Sequence, residues 1–435
     1  MFRGVPSTVR IRTRRSNRHA LLIGAALLLP AVALANGVSE TFTRTSLLLI
    51  LMITLADLCG SIFERLGMAE ILGEIYAGIL LGNLTLIGIE FNLSTLIRSS
   101  EFMVYSTELA LVLLLFIVGL ESDMRALLKV GRNALAVATT GMVLPIALAL
   151  AAGALLGFGT GIQGWFVGAM LAATSVGITA KLLGDSNLVN TRSAQVILGA
   201  AVIDDVLGIL LLAVLASVVV SGELSLLSLL WIIAKALLFF VGALLIGQKL
   251  MPGVVHIVAL NKHSSVWTGF ALCLALGFAQ LAHFAGLAPL IGAFVAGLLL
   301  DDMDFHVGDA LQKHRLEELV KPISDIMITI FFVSIGAQVQ LQTLLDPSML
   351  LLIASLTAVA ILSKGVAGYA VRGPGYDRAG IGFGMIPRGE VGLVFAAFAF
   401  GQHVFDAQMY SALVLVILLT TLAGPILLKP RLQRF

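Results

Sequence analysis

The chain has 435 residues, of which 59% are hydrophobic and only 12% are charged, and its mean hydropathy is +1.04. One soluble core of this size could not bury so much apolar surface, so the composition excludes an ordinary soluble protein and indicates a polytopic membrane protein. The formal net charge of +2 is spread over short loops and one N-terminal arm, which argues against nucleic-acid binding.

The N-terminal region has the pattern of a secretion signal. Residues 1–19 carry six arginines, and the apolar stretch LLIGAALLLPAVALA follows and ends in the small-residue pattern Ala33-Leu34-Ala35. The alternative is an uncleaved first transmembrane helix, but 15 residues are few for about 30 Å of hydrocarbon. The sequence therefore predicts a cleaved bacterial signal peptide over residues 1–35.

Beyond Thr45, hydrophobic stretches recur at the length of membrane spans. They predict an all-α membrane protein with about 13 transmembrane helices, of which the ninth is the shortest. The predicted spans are residues 45–60, 68–86, 103–120, 133–157, 163–183, 194–220, 225–247, 264–283, 286–300, 322–341, 348–370, 379–401 and 407–428.

The basic residues orient these spans. With the mature N-terminus outside, the loops on the inner side hold sixteen lysines and arginines, and the outer loops hold only Arg44 and Arg98. Positive residues are retained on the cytoplasmic side. The sequence therefore predicts that the N-terminus lies outside and the C-terminus in the cytoplasm. The predicted location of the protein is a bacterial inner membrane.

The fifth predicted span carries an unusual polar cluster. Within GAMLAATSVGITAKLLGD, Thr174, Ser175, Gly177 and Thr179 interrupt an apolar stretch. Such a pattern indicates a locally unwound helix whose hydroxyl and carbonyl oxygens coordinate a cation. The simpler interpretation is that the hydroxyls bond to preceding carbonyls and the glycine allows close helix packing.

The sixth span contains two adjacent carboxylates, Asp204 and Asp205, in GAAVIDDVLGILLLAVLASVVV. A charge near the bilayer centre costs about 3 kcal/mol or more, so two together indicate an ion or proton site. Neighbouring residues on a helix point about 100° apart, so the two acids cannot share one partner and should have different roles.

Some other embedded polar residues have simpler explanations. Lys235 and Glu74 lie within predicted spans, and the sequence assigns neither a role. Cys59 and Cys273 lie in separate apolar segments without zinc-type spacing, which predicts neither a disulfide nor a metal cluster.

Lys364, in ILSKGVAGYA of the eleventh span, is the candidate partner for the acidic pair. A buried lysine stays charged only when it is paired. The alternative is that Lys364 extends toward the membrane surface, because it lies about two turns from Arg372.

The twelfth span, in RAGIGFGMIPRGEVGLVF, is weakened by glycines and by Pro387, which cannot donate to the helix ladder. Arg388 and Glu390 flank this weak point and can balance the charges of opposite helix ends. One interrupted helix in each half of the chain, running in opposite directions, points to a secondary transporter with inverted repeats.

These motifs, together with GEIYAGILLGN and FIVGLESDM, resemble the CPA2 group of cation/proton antiporters, and most of all the NapA-type bacterial Na⁺/H⁺ antiporters. The resemblance covers nearly everything after the signal region. It implies an NhaA/NapA-like fold, a homodimer and no cofactor. It also implies dimerisation (panel) helices in 40–124 and 262–341, a linker helix in 222–250, and a core in 130–221 and 347–428.

The resemblance further assigns roles by motif position. Asp205 would be the carboxylate that binds the monovalent cation, with Thr174 and Ser175 near it. Asp204 would pair with Lys364. The charges of the crossing-helix ends would be neutralised by Arg388 and Glu390. Ala173 departs from the pattern, because some relatives have a proline before the threonine.

The residues and the resemblance together lead to one expected activity. Na⁺, or Li⁺, and H⁺ would compete for Asp205, and the protein would exchange cytoplasmic cation for external proton by alternating access. A proton moved through the Asp204–Lys364 pair would make the exchange electrogenic.

Several alternatives stay open. A K⁺/H⁺ antiporter would use the same oxygen ligands. A sodium symporter for organic anions is disfavoured by the acidic pair and the buried lysine. A membrane sensor lies outside transport, as does an intramembrane hydrolase, for which the chain has no GxSxG or HExxH motif. We therefore expect no enzyme.

Overall fold

A computed structural model describes residues 40–88, 93–121, 131–186, 188–221, 226–260, 263–302 and 313–435. All regular structure in these ranges is helical, as predicted. The α-helices are α1 (Glu40–Arg65), α2 (Glu70–Gly82), α3 (Leu93–Ser99), α4 (Glu101–Glu121), α5 (Arg132–Leu156), α6 (Ile162–Ala172), α7 (Val176–Asp185), α8 (Arg192–Ser221), α9 (Leu226–Ala259), α10 (Ser264–Phe284), α11 (Pro289–Asp302), α12 (Lys313–Ala337), α13 (Pro347–Ala367), α14 (Arg378–Gly384), α15 (Glu390–Gly401) and α16 (Ala407–Leu428).

The predicted count of thirteen spans is not confirmed. Ten segments of the described chain are long and apolar enough to cross a membrane. Helix α2 has 13 residues, α11 has 14, and the predicted twelfth span is divided into α14 and α15. The protein is a multi-pass membrane protein in which some transmembrane segments are short or broken.

Two segments are interrupted at mid-length, as predicted. Helix α6 ends at Ala172 and α7 begins at Val176, and between α14 and α15 the residues from Met385 to Gly389 leave the helical path. Pro387 explains the second interruption, because it lacks an amide hydrogen and crowds the preceding turn. The first has neither proline nor glycine, so contacts elsewhere in the fold must hold it open.

The helices pack in two groups. One group consists of α1, α2, α4, α10, α11 and α12, and the other of α5 to α8 and α13 to α16. The 34-residue helix α9 lies between them and contacts α8, α10 and α11. The interrupted segments lie together in the second group, where α6 packs on α15.

The predicted signal peptide, residues 1–35, lies outside the described residues.

Candidate ion-binding site

The two interruptions are joined by hydrogen bonds. The Ser175 amide donates to the Pro387 carbonyl at 2.8 Å, and the Thr179 hydroxyl donates to the Gly384 carbonyl at 2.8 Å. The Thr174 hydroxyl lies 3.3 Å from the Met385 carbonyl oxygen. The backbone groups freed at one break are therefore satisfied by the other, which explains how a break without proline or glycine is held open.

The contact between the breaks leaves no space for larger residues. A Cβ atom at Gly389 would lie 2.6 Å from Ser175 Oγ and 2.8 Å from Ser175 Cβ. A Cβ atom at Gly424, on α16, would lie 2.6 Å from Pro387 Cδ. Glycine at these two positions lets the backbones of the crossing segments approach each other.

Asp204 lies inside the protein and is paired with a lysine. Its side chain is fully buried, and its Oδ2 atom accepts hydrogen bonds from Lys364 Nζ at 2.6 Å and from Thr174 Oγ1 at 2.9 Å. Lys364 is also fully buried, and Gly141 on α5 gives it room, since a Cβ there would lie 3.1 Å from Nζ. The structure thus brings Asp204, Lys364 and Thr174 together, and Lys364 does not extend to the surface.

Asp205 has a different environment from its neighbour. It is half-buried and makes no ion pair or hydrogen bond to the residues that the structure describes. Buried Ile197 lies seven positions before Asp204 and shares its face of α8. Leu198 and Val202 lie seven and three positions before Asp205 and share the face of Asp205. The two acids therefore lie on different faces of α8, as the helical period requires.

The Asp205 face of α8 continues into a cavity. This cavity has a volume of about 1160 Å³ and opens where α5 and α8 begin. Its lining includes Gln195, Leu198 and Val202 of α8, and its mouth carries Arg132 and Arg192. Val202, the lining residue of α8 that lies furthest along the chain, precedes Asp205 by three positions, so the cavity ends about one helical turn from the less buried acid.

Arg388 and Glu390 lie at helix ends of opposite polarity. The fully buried Arg388 donates from Nη1 to the Ala173 carbonyl at 2.6 Å, just after the C-terminal end of α6. Glu390 is the first residue of α15. A cation at a helix C-terminus and an anion at a helix N-terminus are both stabilised by the helix dipole, in line with the predicted charge balance.

Ser175 precedes the first residue of α7 and packs against Gly389, and its side chain is buried. Thr174 contacts Asp204 rather than Asp205. The cation-binding roles of Asp205, Asp204, Thr174 and Ser175 stay predictions.

Sequence reasoning missed Thr421, Gly141 and the cavity. The Thr421 hydroxyl donates to the Arg388 carbonyl and so holds the second break from the side of α16. A polar pair within an apolar span, LLTTLAG, is the one signal that could have indicated it. Neither Gly141 nor the cavity has a pattern of its own in the sequence.

Two embedded groups without a predicted role lie away from this site. Glu74 is buried and accepts a hydrogen bond from the Thr329 hydroxyl at 2.7 Å, between α2 and α12. Lys235 is half-buried on α9, with its ammonium beside Gly286. The structure brings neither to the acidic pair.

Two interrupted helices that cross beside an acid pair and a buried, paired lysine are the architecture of a secondary transporter. The profile of the family described as "Sodium/hydrogen exchanger, transmembrane" matches residues 46–434. The chain belongs to this family of antiporters, which are transporters and not enzymes, and the predicted resemblance is confirmed.

The relatives agree with this assignment, and a solved structure shares the fold. The chain is 33% identical to the high-affinity Na(+)/H(+) antiporter NhaS3 of Synechocystis, over 85% of this chain and 86% of that protein. It is also 33% identical to the Na(+)/H(+)-K(+) antiporter GerN of Bacillus cereus, over 87% and 94% of the two chains. The structure of the sodium proton antiporter MjNhaP1 from Methanocaldococcus jannaschii shares the fold, with a TM-score of 0.64, 17% identity and coverage of 91% of this chain and 97% of that one.

Proposed function

We propose that the protein exchanges cytoplasmic Na⁺, or Li⁺, for external H⁺ at Asp205. The observation that carries this proposal is the separation of two adjacent acids. Asp204 is buried and paired, whereas Asp205 is half-buried, unpaired within the described chain and three positions beyond Val202, which lines a cavity. A carboxylate that is already in an ion pair with a lysine is a poor site for a cation. Asp205 is the acid that remains available.

The charges around the breaks support one ion at a time. Asp204, Asp205 and Glu390 are acids, and Lys364 and Arg388 are bases, so the five groups carry one more negative than positive charge when ionised. While Lys364 stays protonated, one Na⁺ or one H⁺ neutralises the cluster. An empty site would cross the membrane with an uncompensated charge, which costs several kcal/mol. Competition between the two ions therefore couples them into exchange.

The two groups of helices supply the moving parts. We infer that α5 to α8 and α13 to α16 form the core, and that the other group is a dimerisation panel connected to the core through α9. The core would move against the panel and expose Asp205 to each side in turn. The predicted orientation, in a bacterial inner membrane, places the mouth of the cavity in the cytoplasm. A homodimer embedded in lipid is the predicted assembly.

The Asp204–Lys364 pair makes the proposed exchange electrogenic. If Lys364 gives up its proton when the cation binds and regains one when the cation leaves, two protons cross for each cation, and the cation-bound core carries one net negative charge. Proteoliposomes should then generate a membrane potential during Na⁺-driven proton movement, and an internal pH dye follows the rate of that movement. A potassium–valinomycin clamp should speed the exchange, and an unchanged rate under the clamp would indicate electroneutral transport.

The decisive experiment compares wild type with Asp205→Asn in proteoliposomes. We expect Na⁺-dependent proton flux in wild type and its loss, by at least about 100-fold, in the variant, because neither ion can be held as a neutral pair. Asp325→Asn is the matched control, since Asp325 is exposed on α12, outside the core. Full flux in Asp205→Asn would refute the proposal.

Potassium/proton exchange is the second candidate. The relative GerN is named a Na(+)/H(+)-K(+) antiporter, and hard monovalent cations use the same oxygen ligands. Proton flux measured in turn with Na⁺, Li⁺ and K⁺ separates the two functions, since the transported ion both drives the flux and competes with the others.

A further inference from the structure

Three charged-group atoms beside the breaks are buried without a hydrogen-bond partner in the part of the chain that the structure describes. They are Asp204 Oδ1, Arg388 Nε and Arg388 Nη2. Buried polar atoms are nearly always paired, because an unpaired one loses its hydration without compensation. These three come from one acid and one base, so their charges are complementary.

The same short segment holds both groups. Arg388 Nη1 donates to the Ala173 carbonyl, and Asp204 Oδ2 accepts from the hydroxyl of the next residue, Thr174. Asp204 is also the acid whose charge acts on Arg388. Lys364 and Thr174 occupy Oδ2, so the free oxygen of Asp204 and the two free nitrogens of Arg388 remain.

We propose that Arg388 is the second counter-ion of Asp204 and compensates the negative charge of this acid when Lys364 moves away. A guanidinium keeps its charge and presents several N–H groups in a fixed fork, which suits a carboxylate oxygen. Arg388 is thus a positioning residue that acts through Asp204, beyond its contact with the end of α6.

The second counter-ion explains how the lysine can move. Breaking a buried ion pair is strongly destabilising when one charge is left without a partner. Because Arg388 and Asp204 contact the adjacent residues Ala173 and Thr174, Arg388 can compensate the charge of Asp204 while Lys364 leaves it. The place of this step in a transport cycle rests on the proposed function, whereas the pairing itself does not.

The first experiment measures stability and needs no transport. Melting temperatures in detergent are compared for Lys364→Met, Arg388→Met and the double variant. We expect the double variant to lose more than the sum of the single losses, because Asp204 then has no cation. The excess should vanish in the Asp204→Asn background. Additive losses with Asp204 present would overturn the proposal, as would an excess that persists in Asp204→Asn.

A matched control tests whether any second arginine would behave the same way. Arg431 forms an ion pair with Asp377, away from the breaks, through Nε at 3.0 Å. Lys364→Met combined with Arg431→Met should therefore give additive losses. An equal excess in this control would remove the support for a specific role of Arg388.

The second experiment measures Na⁺-dependent proton flux of the same variants. Lys364→Met should lower the flux but leave it measurable, and Lys364→Met with Arg388→Met should fall at least about 100-fold below the product of the single effects. Lys364→Met with Arg388→Lys should exchange faster than Lys364→Met with Arg388→Met, because the new lysine again supplies a cation for Asp204. Lack of rescue, or complete loss in Lys364→Met alone, would contradict the proposal. If wild type itself exchanged no cation, the proposed function would fail and the stability result would still decide this inference.

Discussion

The amide of Ser175 and the carbonyl of Pro387 form a hydrogen bond of 2.8 Å that connects the two unwound segments. Ser175 comes from the first half of the chain and Pro387 from the second. Because both lie in interruptions, neither group has a partner in its own helix. The bond makes each break depend on the other, so a change that separates them should disturb both.

Gly389→Ala tests this dependence. The added methyl group would meet Ser175 Oγ at 2.6 Å, so the two segments must move apart. We expect cation-dependent proton flux to fall by about 100-fold, the effect of small misplacements in functional sites, and the melting temperature to fall as well. Gly401→Ala, at the end of α15, is the control, because nothing lies within 4 Å of its added Cβ. Wild-type flux in Gly389→Ala would show that the close contact is unnecessary.

Sequence reasoning reached the chemistry of the site more readily than its geometry. Pro387 predicts its break from local stereochemistry, and buried charges such as Lys364 are rare enough in an apolar chain to be noticed. The partner of Asp204 lies 160 positions away, however, and only the packed helices show that Thr174 contacts this acid and not Asp205. Local patterns do not contain such long-range contacts.

The number of spans could not be predicted from the sequence for a different physical reason. A count based on apolar length treats each hydrophobic stretch as one continuous helix. The predicted twelfth span is two short helices, and α11 has only 14 residues. Short and broken segments are stable within the membrane only where other helices surround them, and sequence length does not record this burial.

Thiol labelling of Val202→Cys tests whether the cavity leads to Asp205. In a background without Cys59 and Cys273, the new cysteine should react with a membrane-impermeant reagent from the side where α8 begins, predicted to be the cytoplasm. Na⁺ should slow the reaction if it binds one turn deeper. The control, Ala201→Cys, faces the buried side of α8 and should stay unlabelled. Labelling of Ala201→Cys and not Val202→Cys would contradict the proposed route.

Arg192→Gln tests the electrostatics of the cavity mouth. Arg132 and Arg192 place positive charge where a cation is expected to arrive, which lowers the local cation concentration. Neutralising Arg192 should lower the KM for Na⁺ by about two- to tenfold at low ionic strength, with little change in kcat. Added choline chloride should abolish the difference, because screening shortens the range of the field. Arg65→Gln, on α1 away from the cavity, should have no such effect, and a KM unchanged at low salt in Arg192→Gln would exclude steering.

Thr329→Val tests the buried hydrogen bond between α2 and α12. Valine has nearly the shape of threonine but cannot donate to Glu74, a residue that is only 8% exposed. An unpaired buried acceptor costs about 1–3 kcal/mol, so the variant should melt at a lower temperature than wild type. Thr139→Val provides the comparison, since the Thr139 hydroxyl is exposed and bonds only to carbonyls of its own helix. Because Glu74 lies outside the group of helices that holds the two breaks, the competition between Na⁺ and H⁺ should be unchanged in Thr329→Val. Equal melting temperatures for the two variants would show that the Glu74 contact adds no stability.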